Sequence, residues 1–269
     1  MKKIIAIIMA ALLIACLCAC GEKKPEEPKD NEKDTNKETT PTEEKEEKPH
    51  ETVVGFLGDS ITLGYALDNK EARFSTLICQ KLGVVEQNEG ITGTLVAKAG
   101  LSDGAGTSFV ERIQLIKDAD IAVIFGGTND YFWSDMPLCA PEDDIKNTAY
   151  FDVALDKICR YMKTVKKSEK TLLVTPYKHC GTGNFEGGEN YRDSSEHETD
   201  AKNYNGLTLE DYVNKIIEIG KKHGIAVLDL YHTDEFDYKT MTIDGCHPNE
   251  DGHKYLAEKI GAEVEKLIG

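Results

Sequence analysis

The chain has 269 residues and a formal net charge of −16, from 48 acidic and 32 basic side chains. That acidic excess argues against a nucleic-acid partner and against docking on an anionic lipid surface. Of the eight cysteines, Cys16, Cys18 and Cys20 sit near the amino terminus. Cys79, Cys139, Cys159, Cys180 and Cys246 show no CxxC spacing, so neither a disulfide framework nor a metal cluster is implied; at most Cys139 and Cys180 join two loops.

Lys2 and Lys3 precede an apolar run, Ile4 to Leu17, shorter than the roughly 20 residues a membrane span needs, and small residues follow. Residues 1–20 therefore read as an export signal. Leu17-Cys18-Ala19-Cys20-Gly21 resembles a bacterial lipoprotein lipobox, in which Cys20 becomes the lipidated first residue of the mature chain. Leu13-Ile14-Ala15-Cys16 is a rival match, but it would leave apolar Leu17 just after the cleavage point, whereas Gly21 and a polar stretch follow Cys20. Residues 21–51 are nearly all Glu, Lys, Asp, Pro, Thr and Asn and cannot offset their ordering entropy by burial. A flexible tether of this length spans about 30 Å by the random-coil relation, and more when charged. The expected location is extracytoplasmic, on the outer face of the cytoplasmic membrane, with the lipid as the only membrane contact.

Residues 52–269 suffice for one α/β domain. Apolar, β-branched runs predict strands at 52–57, 84–88, 121–125, 171–175 and 226–230. Helical periodicity occupies 72–82, 109–116, 145–165, 207–223 and 252–268. Strict alternation means a parallel sheet covered on both faces. The segment from Pro176 to Gly206 breaks the rhythm with Gly, Asn, Glu, Ser and isolated aromatics, and reads as a lid or binding loop.

Candidate chemistry clusters where predicted strands end. Val53-Val54-Gly55-Phe56-Leu57 runs into Gly58-Asp59-Ser60, which places Ser60 at a strand-to-helix corner, suited to a nucleophile or simply to a helix cap. Far downstream, Pro248 biases His247 away from helical geometry. Asp244 and His247 then share a turn before the last helix, where a carboxylate can orient one imidazole nitrogen and leave the other to remove a proton. Asn88-Glu89-Gly90-Ile91-Thr92-Gly93 and Gly126-Gly127-Thr128-Asn129-Asp130 are small-residue turns at two more strand ends. An Asn amide and a glycine N–H aimed into the same crevice as the Ser60 N–H would form an oxyanion hole; each turn alone could be ordinary.

Taken together, Gly58-Asp59-Ser60, the Ile91-Thr92-Gly93 turn, Gly127-Thr128-Asn129-Asp130 and Asp244-x-x-His247 resemble the four blocks of the SGNH, or GDSL, hydrolase superfamily, in the family's order and across the whole globular region. The resemblance implies a three-layer α/β/α sandwich, flavodoxin-like, with about five parallel strands. It also implies Ser60 as nucleophile, His247 as base, Asp244 as orienter, and Ser60, Gly93 and Asn129 as oxyanion donors, with no cofactor and no metal. Gly93 is preferred to Gly90 because the family's glycine follows the apolar–small pair. The implied activity is hydrolysis of a carboxylic ester through a seryl acyl-enzyme. Export and tether favour O-acetyl groups on wall or dietary glycans, with a lysophospholipase or lipase activity as runner-up. A non-catalytic glycan-binding lipoprotein is a third reading, opposed by the intact set of reactive positions. Trp133 and Tyr177 are candidate substrate contacts. Cys246 reads as a small buried hydrophobe, and His179, His197, His232 and His253 as surface or capping groups. A monomer is expected.

Overall fold

The strand that leads to Ser60 is β1, Val53–Gly58, buried almost throughout. It pairs in parallel with β2 (Val85–Gly90) on one side and β3 (Ile121–Phe125) on the other. The strands β4 (Thr171–Val174) and β5 (Ala226–Leu228) follow β3, giving the all-parallel order β2-β1-β3-β4-β5. The computed structural model describes residues 50–98, 107–165, 168–180, 201–203 and 205–269. The expected export signal, nearly all of the tether and residues 181–200 of the expected lid, with Phe185, Tyr191 and His197, lie outside the described residues.

Among the described residues, eight α-helical segments accompany the strands: α1 (Ser60–Leu63), α2 (Phe74–Leu82), α3 (Phe109–Arg112), α4 (Thr128–Trp133), α5 (Phe151–Val165), α6 (Leu209–His223), α7 (Tyr238–Met241) and α8 (Glu250–Ile268). Alternation along each strand sends its side chains to opposite faces, which creates two cores. Val54, Phe56, Ile121, Val123 and Phe125 pack with Ile78 of α2 and with Leu256, Ile260 and Val264 of α8. Leu57, Ala122, Ile124 and Leu173 pack on the other face with Ile158 and Met162 of α5 and with Tyr212 and Ile216 of α6. This is the expected three-layer α/β/α sandwich. No helix among the described residues is long and apolar enough to cross a membrane.

Several boundaries differ from the periodicity, each for a local reason. The expected helix from 145 starts only at Phe151, because Asn147 accepts from Ala149 N and donates to Asp144, building side-chain turns that compete with the helix. The helix expected over 109–116 leaves α geometry after Arg112, whose backbone sits at φ −110°, ψ 8°, and continues as a tighter turn over Ile113–Ile116. The helix α6 begins two residues later than expected, where Thr208 and Asp211 form a reciprocal capping box.

The chain leaves β1 for β2 on one side and reaches β3 on the other, so the connections diverge at the carboxyl ends of β1 and β3. Open α/β sheets bind ligands in the crevice at such a reversal.

Candidate active site

Gly58 closes β1, and a Cβ there would lie 1.9 Å from the Thr62 hydroxyl oxygen, so only glycine lets the chain fold directly into α1. Asp59 caps that helix by accepting from Ile61 N at 2.9 Å. Burial pushes the Asp59 carboxyl up to about 6, against the opposing pull of the Ile61 N–H, His247 and Arg112. Ser60 is thereby the first residue of α1, buried except for 5% of its surface.

The turn carrying Asp244 and His247 is tied at its base: Thr242 bridges Pro248, Ile243 N donates to the His247 carbonyl at 2.9 Å, and Asn249 N donates to the Met241 carbonyl at 3.0 Å. Asn249 then caps α8 by accepting from Asp251 N and Gly252 N. Inside the turn, Asp244 Oδ1 accepts from Cys246 N at 3.0 Å and His247 N at 2.7 Å, while Oδ2 meets His247 Nδ1 at 2.7 Å. The other ring nitrogen, Nε2, lies 3.1 Å from Ser60 Oγ. Partial burial works to raise the Asp244 carboxyl, but the hydrogen bonds from the His247 ring and backbone outweigh it and hold the group down at about 2. A carboxylate ionised at neutral pH requires a proton on Nδ1, which makes Nε2 the acceptor facing the serine.

The two small-residue turns are joined to each other. Gly93 has φ +75°, a conformation that favours glycine. The next residue, Thr94, accepts from Asn129 Nδ2 at 3.1 Å through its carbonyl, which uses one of the two amide protons and leaves the second for a ligand. Gly127, at φ +113°, precedes α4 and sets the entry of Asn129. Asp130 is fully buried and accepts from Val96 N at 2.8 Å and Ala97 N at 2.9 Å, so it fastens the Gly93 loop to α4; burial pushes its carboxyl up to about 7. Gly90 has a different role from Gly93, since a Cβ on it would stand 2.3 Å from Leu63 N.

Of the two aromatics expected at the substrate, Tyr177 is corrected by its burial. It is 0% exposed, stacks on Phe236 at 3.9 Å, and donates its hydroxyl to the Cys246 carbonyl at 2.5 Å. It therefore supports the Asp244–His247 turn from within the core. Tyr177→Phe keeps the stack but strands a buried carbonyl, and is expected to destabilise the fold by about 1–3 kcal/mol. Thermal unfolding checks that figure, and an unchanged midpoint would remove the supporting role. Trp133 packs against the core beside Phe132 and is only partly buried. Cys246 is a buried hydrophobe, as expected, and no disulfide joins Cys139 to Cys180.

The placement of four residues, Tyr65, His179, His253 and Arg112, carried no signal in the pattern. Tyr65, 46% exposed, lays its ring 4.6 Å from that of His247. His179, expected at the surface, is buried against Phe132 and Tyr177, and desolvation, aided by His247, pushes it down to about 3, so it is neutral. His253, expected as a surface or capping group, is fully buried and does cap α2, since its ring Nδ1 accepts from Phe74 N, the first residue of that helix. His232 does lie at the surface, bonded to Asp229 and Glu210. Arg112, inside α3, is 4% exposed.

A flavodoxin-like sheet with a serine, an imidazole and a carboxylate in hydrogen-bonded sequence at its carboxyl edge defines the class, an α/β/α hydrolase. The chain belongs to the GDSL-like lipase/acylhydrolase family, whose model matches residues 56–255, and it is an ester hydrolase. No curated protein matches it in sequence. Among solved structures it is similar to a protein from Lactobacillus plantarum, at 23% identity and TM-score 0.64, over 80% of this chain and 97% of that one. It is similar to the lipase/acylhydrolase from Enterococcus faecalis, at 22% identity and TM-score 0.55, over 80% and 96%. It is also similar to a carbohydrate acetylesterase family member from Sinorhizobium meliloti, at 16% identity and TM-score 0.53, over 81% and 99%.

Proposed function

We propose that this hydrolase removes O-acetyl groups from carbohydrate or cell-wall glycans through a Ser60–His247–Asp244 triad. The observation that carries the triad is the unbroken contact from Asp244 Oδ2 through His247 to Ser60 Oγ, at 2.7 and 3.1 Å. His247 Nε2 takes the hydroxyl proton as Oγ attacks the acyl carbon. The N–H groups of Ser60 and Gly93 and the second proton of Asn129 Nδ2 hold the oxyanion, and the imidazolium returns its proton to the departing alkoxide. Water repeats the sequence on the acetyl-enzyme. The export signal and charged tether support an acetylated glycan outside the cell, reached by a domain anchored through a lipid on Cys20. On this reading Cys20→Ser releases the protein from the detergent phase into the medium, and unchanged partitioning would remove Cys20 as the anchor.

One observation favours a second reading. Tyr65, Ile91 and Ile243 are 46%, 38% and 54% exposed; Tyr65 lays its ring against that of His247, Ile91 opens the turn that carries Gly93, and Ile243 directly precedes Asp244. Exposed apolar side chains so close to site residues suit an acyl chain, as in a lysophospholipase. Turnover of a p-nitrophenyl ester series from acetate to palmitate separates the two. A preference for acetate supports the glycan reading, and a rise in kcat/KM with chain length replaces it with the lipid one. No turnover of any ester would overturn both in favour of a non-catalytic glycan-binding lipoprotein.

A further inference from the structure

Arg112 is a buried cation with no carboxylate among its hydrogen-bond partners in the described residues. Its Nε donates to the Thr107 carbonyl at 2.5 Å and its Nη1 to the Glu89 carbonyl. Its Nη2 donates to the Gly58 carbonyl at 2.7 Å and to Thr94 Oγ1 at 2.9 Å. Four of the five N–H donors of the guanidinium are thus aimed at three carbonyls and a hydroxyl. Burial pushes the group down to about 10, resisted by the charges of Asp59 and Glu89, so it is still a cation at neutral pH. A desolvated charge is costly to the fold, and the positions it touches show what that cost supports. Gly58 is two residues before Ser60, Glu89 closes on the end of β2 just before the Gly93 turn, and Thr94 follows Gly93. The Thr94 carbonyl is also the acceptor that fixes the Asn129 amide.

We infer that Arg112 is a positioning residue for the oxyanion hole: one planar fork holds the Ser60 corner and the Gly93 turn in register and, through Thr94, sets the Asn129 amide. The inference rests on the assignment of Ser60, Gly93 and Asn129 as donors. A planar fork is required because its donors leave in fixed, divergent directions; a lysine ammonium in the same space reaches fewer of these acceptors and imposes no common plane on them. Donors to a developing oxyanion must be held within roughly 0.5 Å of their productive places. A displacement of about 1 Å costs on the order of 100-fold in rate.

The test is steady-state kinetics of p-nitrophenyl acetate with Arg112→Lys, Thr94→Val and Thr94→Ser, each also combined with Asn129→Ala. Arg112→Lys is expected to lower kcat by about 10- to 100-fold with KM little changed, because the loss falls on charge that develops in the transition state. Thr94→Val removes one acceptor of the fork together with the hydrogen bond from the same hydroxyl to the Ile91 carbonyl, and is expected to lower kcat by several-fold, with Thr94→Ser restoring it. In the Asn129→Ala background both losses should shrink, since the displaced donor is already gone. A folded Arg112→Lys enzyme with parental kcat, or losses that multiply in full with Asn129→Ala, would overturn the inference. Should Arg112→Lys fail to fold, the Thr94 pair decides alone: a parental kcat in Thr94→Val overturns it. A parent that turns over no ester instead overturns the assignment of the site itself.

Discussion

Ser60→Ala and His247→Ala are each expected to abolish ester turnover by nearly the same factor, about 10⁴- to 10⁶-fold in kcat, and the double variant should fall no further. The reason is geometric. Among the described residues the base that meets Ser60 Oγ is His247, through Nε2 at 3.1 Å, so the serine without the imidazole stays a hydroxyl and the imidazole without the serine has no proton to move. Neither change should disturb the fold, because the Asp244 turn and the Thr242–Pro248 bridge hold position through backbone contacts that need neither Oγ nor the ring. A fluorophosphonate should add one adduct to the parent at Ser60 and none to either variant, which intact-mass measurement reads directly. Turnover by a folded Ser60→Ala protein at the parental rate would remove Ser60 from the reaction and the triad with it.

The sheet was legible because each strand is an apolar run between helical periods, and β3 begins and ends where its pattern does. The boundaries that moved are those governed by side chains bonding their own backbone, as at Asn147 and at the Thr208–Asp211 box, which periodicity does not register. The contact among Ser60, His247 and Asp244 was legible because a glycine-led corner and a proline-fixed turn place them at strand ends, and because the four blocks taken together resemble one superfamily where each alone could be ordinary. Arg112 and Tyr177 were not. A lone arginine at the end of a helical turn and a tyrosine after a strand look like a solvated charge and a loop aromatic. Their roles come from acceptors that the fold brings from 18 to 69 positions away, such as Thr94 and Cys246. The burial of His179 and of the capping His253 was missed for the same reason, since burial of a ring by distant aromatics leaves no trace in neighbouring residues.

Asp244→Asn should lower kcat by about 10⁴-fold while the turn keeps its shape, by analogy with other triads in which the orienting carboxylate becomes an amide. In the parent, Oδ1 accepts two backbone N–H groups and Oδ2 accepts the ring Nδ1–H. If the amide oxygen keeps the two backbone donors, Nδ2 faces Nδ1, and the ring must place its proton on Nε2, where it points at Ser60 Oγ and cannot serve as base. If the amide flips, its oxygen suits Nδ1 but its NH₂ meets two N–H donors, so neither orientation satisfies the whole set. Stability provides a second readout with a definite sign. The Asp244 carboxyl is lowered from 3.8 to about 2 in the fold, so its contribution is fully present above the unfolded value and is lost as pH falls from about 4 toward 2. The parent's unfolding midpoint should therefore drop more steeply over that interval than the variant's. Parallel pH curves for the two proteins, or a folded Asp244→Asn enzyme with kcat within a few-fold of the parent, would show that the carboxylate neither holds nor orients His247.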